Sequence, residues 1–214
     1  MFEWQLFIEP FFQTLYMVSL SGLLATLFGL PLGILLFITQ QQQIFAHPSL
    51  NKLLNMIVSS LRSIPFIILM IALIPFTRAI VGTSIGTTAA IVPLTVCAIP
   101  FLGKVIETAL GEIPYGLIEA SQSMGASIQQ IVLKVLLPEA LPSLIQGITL
   151  TVINLVGYSA MAGAIGGGGL GDLAIRYGYQ RFDIKVMLIT TVILIFLVQF
   201  TQFIGDTLLK KLRH

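Results

Sequence analysis

The sequence predicts an all-α integral membrane protein: five transmembrane helices, with a structured element on the cytoplasmic side between the third and the fourth. Composition is the first reason. Of 214 residues 56% are hydrophobic and 9% charged, at a mean hydropathy of +0.98, where a soluble domain carries about 25% charged residues. The second reason is spacing: the charges cluster and leave charge-free runs of bilayer length, about 20 residues each. The third is that these runs are continuous rather than alternating, which argues against β-barrel spans. Eleven Lys+Arg against nine Asp+Glu, with no basic run, argue against nucleic acid as a partner.

The first span, about 13–38, lies in a stretch from Pro10 to Asn51 that holds no charge. Gly29 and Gly33 inside it have the small-xxx-small spacing that lets helices approach closely, and Pro31 between them is expected to kink it. Glu3 and Glu9, with no Lys or Arg before them, are the reverse of a signal peptide's basic start, so this span is expected to be retained. The second span, about 53–76, reaches bilayer length only by carrying Arg62 inside it. An arginine at mid-helix costs about 2.5–3.5 kcal/mol on insertion scales, so Arg62 is expected to snorkel and to pair with a glutamate or with backbone carbonyls. The third span, about 79–103, holds Cys97, read as a small hydrophobe; one cysteine and two distant histidines, His47 and His214, make no metal set. The fourth, about 140–165, ends in the glycine run Gly166–Gly169 and Gly171, read as a flexible exit. The fifth is about 186–207, with Asp206 at its border.

An odd number of spans puts the termini on opposite sides. One side then holds Arg78, Arg176, Arg181 and Lys185; the other holds Lys52, Arg62, Lys104, Lys134, Lys210, Lys211 and Arg213. The positive-inside bias places the second set, and the C-terminus, in the cytoplasm and the N-terminus outside.

The segment 104–139 is the most informative. Pro114 suits the start of a helix and Gly125 its end, roughly three turns later. Ser127 and Gln130 form a capping-box pattern, and behind them Ile128, Ile131, Val132, Val135 and Leu136 make one apolar stripe at helical spacing. Pro138 and Pro142 then demand a further turn before the fourth span. The pattern fits a helix–Gly–helix element presented to the cytosol; taken alone it favours a connector that only links two spans, since amphipathic connectors are common.

Glu119-Ala120-Ser121, three residues, Gly125, nine residues, Val135, one residue and Leu137-Pro138 resemble the EAA loop of ABC importer permeases, with Ser121 and Val135 standing where that pattern has Ala and Ile. The runs Arg62–Ile68, Ile74–Gly86, Ala90–Thr95 and Gly157–Met161 resemble the permeases that import methionine. The resemblance implies a type I ABC importer permease fold, a single transmembrane domain over 1–214 with its core at about 12–206. It implies a homodimer in the bacterial inner membrane, two cytoplasmic subunits that bind ATP and Mg, and a periplasmic or lipid-anchored binding protein for the solute. No cofactor is expected in this chain, which has no phosphate-binding G-x-x-x-x-G-K-[ST] loop. Glu119, Ala120, Ser121, Met124 and Gly125 become the ATPase-coupling residues.

In the fourth span Asn154, Tyr158 and Met161 recur at i, i+4 and i+7, a polar, aromatic and thioether face that is costly toward lipid. They are candidates for the lining or gate of a path on the dimer axis. Two other readings remain open: the same machine for another small solute, and an assembly or anchoring subunit without a path.

Overall fold

The computed structural model describes residues 5–212, which places Glu3, Arg213 and His214 outside the described residues. Helix α1 (Gln5–Ile38) runs unbroken through Pro10 and Pro31 and packs lengthwise on α5 (Thr87–Gly111). The two glycines set that contact. A Cβ added at Gly33 would sit 2.5 Å from the Cβ of Ile106 and 2.6 Å from the Gly103 carbonyl oxygen, so the two helices touch backbone to backbone.

The second span is not one helix. An amphipathic α2 (Pro48–Ser63) ends at Ile64, and α3 (Phe66–Ala72) leaves it at 103°. Pro65 is the cause: it lacks an N–H, and it drives Ile64 into the extended region at ψ 124°. Helix α4 (Ile74–Val81) follows, holds Thr77 and Arg78, and stops at left-handed Gly82. The third span is accordingly α5, displaced toward the C-terminus from the expected 79–103. It keeps Lys104 and Glu107 inside the helix because they pair with each other at 2.7 Å. Among the described residues four helices are long and apolar enough to cross a membrane, and the bent α2–α3 pair makes a fifth, broken, candidate.

The expected turn at Pro138 and Pro142 is absent. After α6 (Tyr115–Ser123), α7 (Ile128–Ile131) passes through a π-turn at Val132–Leu136 into α8 (Leu137–Ala162), one apolar helical stretch from Ile128 to Ala162. In the π-turn the Leu137 N–H reaches the Val132 carbonyl, and this widened turn precedes the proline ring at 138. The stripe Ile131, Val132, Val135 and Leu136 consequently faces the interior, packed with Phe37, Leu102, Ile106 and Ile118.

The glycine run is not a flexible exit. Beyond a kink at Ile165 and Gly166, where the backbone leaves the helical region (φ −118° and +90°), the chain doubles back as α9 (Gly169–Leu173) and continues helically to Tyr179. Gly163 packs on the backbone of Gly171 and Asp172, and Gly171 on that of Ala160, leaving no room for a Cβ at either glycine. From α1, Gln13 Oε1 accepts the Gly169 N–H at 2.8 Å and Thr14 Oγ1 accepts the Leu170 N–H at 2.9 Å. Asp183 caps α10 (Ile184–Leu212), accepting the N–H of Lys185 and Val186, and α10 packs on α8.

Candidate functional site

The candidate coupling arm is α6 with its cap. Met124 closes the helix, Gly125 follows at φ +79°, the Gly125 N–H reaches the Gln122 carbonyl at 2.9 Å, and the Ala126 N–H reaches that of Ser121 at 3.1 Å. This pair of bonds is the Schellman closure, which needs a left-handed residue and so favours glycine. Two residues on, both capping-box bonds are made: the Gln130 N–H donates to Ser127 Oγ at 3.3 Å and the Ser127 N–H to Gln130 Oε1 at 2.9 Å. The hinge between the arms is therefore two residues long and hydrogen-bonded on both sides.

The arm has one buried and one open face. Ile118 is 1% exposed and anchors it in the cluster of Leu110, Ile113 and Ile131. Ser121 is buried too, its hydroxyl donating to the Leu117 carbonyl at 2.7 Å, so it serves the arm internally. Glu119 and Ala120 are exposed, and Met124 is 81% exposed; Tyr115 and Leu117 extend the open face. A carboxylate beside exposed thioether and aromatic groups is suited to a protein surface with an apolar groove and a cation at its edge.

The candidate path residues divide. Tyr158 turns against α3, its ring stacked on Phe66 with centroids 4.9 Å apart and 16° between planes. Asn154 and Met161 remain on an open face, where Asn154 makes no hydrogen bond among the described residues and Met161 is 45% exposed. That face of α8 runs through Glu139, Ser143, Gln146, Leu150, Asn154, Gly157 and Met161. The open faces of the other long spans are different in kind. On α1 the open face includes Phe12, Leu23, Leu27 and Phe28, and on α10 Leu188, Val192, Phe196, Phe200 and Phe203. Apolar faces suit lipid; a face with an unpaired amide does not.

Among the described residues Arg62 meets neither a glutamate nor a carbonyl. Its guanidinium lies over the Phe101 ring, 5.9 Å from the centroid. The charge network at this end instead joins Gln40, Glu107, Lys104 and Asn55: Gln40 Nε2 donates to Glu107 Oε1 at 2.8 Å, and Lys104 Nζ donates to Asn55 Oδ1 at 3.1 Å. Sequence reasoning missed this network, and it missed the Gln13–Gly169 latch. The visible signal in the second case was a glutamine inside an apolar run, one turn after Glu9, whose Oε1 accepts the other end of the amide at 3.1 Å.

The family described as "Binding-protein-dependent transport system inner membrane component" matches residues 29–214. The probable D-methionine transport system permease protein MetI of Vibrio cholerae is 55% identical over 202 residues, 94% of this chain and 90% of that protein. The D-methionine transport system permease protein MetI of Escherichia coli K12 is 56% identical over 158 residues, 74% of this chain and 73% of that one. A chain of the MetNI methionine ABC transporter, solved in an inward-facing conformation, superposes with a TM-score of 0.96 at 52% identity, covering 97% of this chain and 96% of that one. A chain of an amino acid ABC transporter shares the fold at a TM-score of 0.79 and 18% identity.

Proposed function

The chain belongs to the family of inner membrane components of binding-protein-dependent transport systems, and from that premise we propose that it is the membrane subunit of an ATP-driven methionine importer. It is a transport permease and not an enzyme; in the proposed machine two cytoplasmic subunits bind ATP and Mg and hydrolyse the nucleotide. A periplasmic or lipid-anchored binding protein delivers L- or D-methionine. Two copies of the permease enclose the path between them, with the N-terminus outside and the C-terminus in the cytoplasm.

The observation that carries this reading is the α6 arm: buried at Ile118, open at Glu119, Ala120 and Met124, and fixed by the Gly125 closure. An arm of this kind takes up motion of a partner without bending. The unpaired Asn154 beside Met161 supports placing the path along the open face of α8, since a second copy removes that face from lipid. Met161, flexible and apolar, suits a constriction that closes and reopens.

The test is reconstitution in liposomes with the ATPase and the binding protein, followed by uptake of labelled L- and D-methionine. Uptake is expected to need ATP and all three components. Transport of another solute but not of methionine would overturn the substrate assignment and keep the importer. Hydrolysis of ATP without movement of any solute would favour an anchoring subunit.

A further inference from the structure

Gln13 and Thr14 have a role that the proposed coupling and path do not use. Helix α9 starts after Gly168, which has no side chain to cap it. The first two N–H groups of the helix, on the buried Gly169 and Leu170, must therefore find acceptors elsewhere. Both acceptors come from α1: Gln13 Oε1 for Gly169 and Thr14 Oγ1 for Leu170. The glycines make room for them. A Cβ at Gly168 would lie 2.9 Å from Gln13 Oε1, and one at Gly169 would lie 2.7 Å from Thr14 Oγ1. The Gln13 amide is used at both ends, since its Nε2 donates to Glu9 Oε1 at 3.1 Å and leaves Oε1 turned to Gly169.

Helix α9 is in turn locked to the end of α8. Gly171 rests on the backbone of Ala160, and Gly163 on that of Gly171 and Asp172, with no space for a side chain at either contact. The last turn of α8, which carries Met161, and α9 are therefore one unit. Leu170 and Ala162 pack from that unit into the core around Met17, and the Gly86 N–H donates to the Gly166 carbonyl at 2.8 Å from the start of α5. All of these contacts lie within one protomer. Whatever fixes α9 against α1 also fixes Met161 against α1.

We propose that Gln13 is a positioning residue for the constriction at Met161: together with Thr14 it clips α9 to α1 and so sets the resting position of the outer end of α8. This rests on the placement of the path along the open face of α8. The chemical requirement at position 13 is an acceptor for a buried N–H. A carboxylate meets it, and an apolar side chain of similar size does not. Leaving that N–H without an acceptor weakens the clipped arrangement by about 5- to 150-fold. The end of α8 then leaves α1 more readily, and the constriction opens without ATP.

The test places a reporter thiol at the constriction. In a Cys97→Ser background, Met161→Cys is reacted with an impermeant thiol reagent in intact spheroplasts that express the permease with its ATPase. With Gln13 in place the thiol is expected to react slowly. Gln13→Leu should speed the reaction about fivefold or more, and Thr14→Val should act in the same direction. Gln13→Glu keeps the acceptor but sets it against Glu9. Combined with Glu9→Gln, which supplies the donor again, it should return the reaction close to the wild-type rate. Copurification of the ATPase with each variant reports on folding, and a loss of packing alone would follow side-chain shape and not the acceptor. Equal rates with Gln13 and with Gln13→Leu overturn the proposal. So does a Glu9→Gln/Gln13→Glu pair no slower than Gln13→Leu. The rate does not depend on the solute carried, so failure of methionine uptake with this pattern intact would remove the substrate assignment and leave the clip.

Discussion

Replacing Gly125 by alanine isolates one term in the proposed coupling mechanism. Gly125 sits at φ +79°, and a Cβ built there meets nothing within 4 Å. The substitution therefore carries no steric clash, and its whole cost is backbone: about 1–2 kcal/mol for a side chain in the left-handed region. At RT of about 0.59 kcal/mol that lowers the population of the closed hinge by about 5- to 30-fold relative to open alternatives. The two bonds at risk are those from Gly125 to Gln122 and from Ala126 to Ser121, which aim α6 relative to α7. Binding of the ATPase must then restore the closed form, so the affinity of the permease for the ATPase should fall by about the same factor. A titration of labelled ATPase onto the permease in detergent measures this, and methionine moved per ATP in liposomes measures the consequence. Asparagine tolerates the left-handed region better than alanine, so Gly125→Asn should lie between Gly125→Ala and the wild type. Wild-type affinity and coupling in Gly125→Ala would refute the argument, and so would an asparagine variant no better than alanine, because then the loss would not come from φ.

Other substitutions probe separate links. Gly33→Ala forces α1 from α5 and should lower the thermal stability of the purified protein by about 1–3 kcal/mol, whereas Gly157→Ala, with no neighbour within 4 Å of its Cβ and inside helix α8, should not lower it. Gly157→Leu should leave the protomer inserted but block uptake or dimer assembly, since Gly157 lies on the open face with Asn154 and Met161; normal uptake would remove that face from the path. Glu119→Ala should weaken ATPase binding through loss of an exposed anion, read in the same titration. In a Cys97→Ser background, Ser127→Cys should resist an impermeant thiol reagent in intact spheroplasts and Ser84→Cys should react, which checks the proposed orientation.

The caps were legible because each rests on residues within five positions of one another. Gly125, Ser127 and Gln130 announce a stop and a start, and the structure makes every bond they imply. The Gly29–Gly33 contact was legible for a similar reason. Span limits were less so, because charge-free runs mark where ions are absent and not where helices end. Lys104 and Glu107 cancel each other within α5, and so the true span lies further along. The break in the second span was present in the sequence as Pro65, outweighed there by the need for length. At Pro138 the same rule pointed the other way: proline signalled a turn, and a π-turn one step earlier accommodated it. The packing of the glycine run depends on Gln13 and Thr14, more than 150 positions away, as well as on its own residues. Spacing along the chain carries no signal of that partnership.

The absence of a turn at Pro138 changes how motion can travel. With a bend between arm and span, displacement of α6 would be lost in rotation at the joint. As one helical stretch, Ile128 to Ala162 is a rod of about 51 Å at 1.5 Å per residue. It is clamped near its start by Ile131 and Leu136 against Ile106 and Leu110, and farther along by Leu155 and Ala162 in the core around Met17 and Leu170. The capping box fixes the rod's first turn, and two residues join it to the arm that carries Glu119 and Met124. A push on α6 from a closing ATPase would therefore tilt the whole of α8, moving Asn154 and Met161 with it. The π-turn at Val132–Leu136 is the one irregularity in that rod before Gly163. Helices yield most readily at such turns, so whatever part of the displacement the core clamp does not pass on to the open face should be absorbed there, between the proposed ATPase contact and the proposed path.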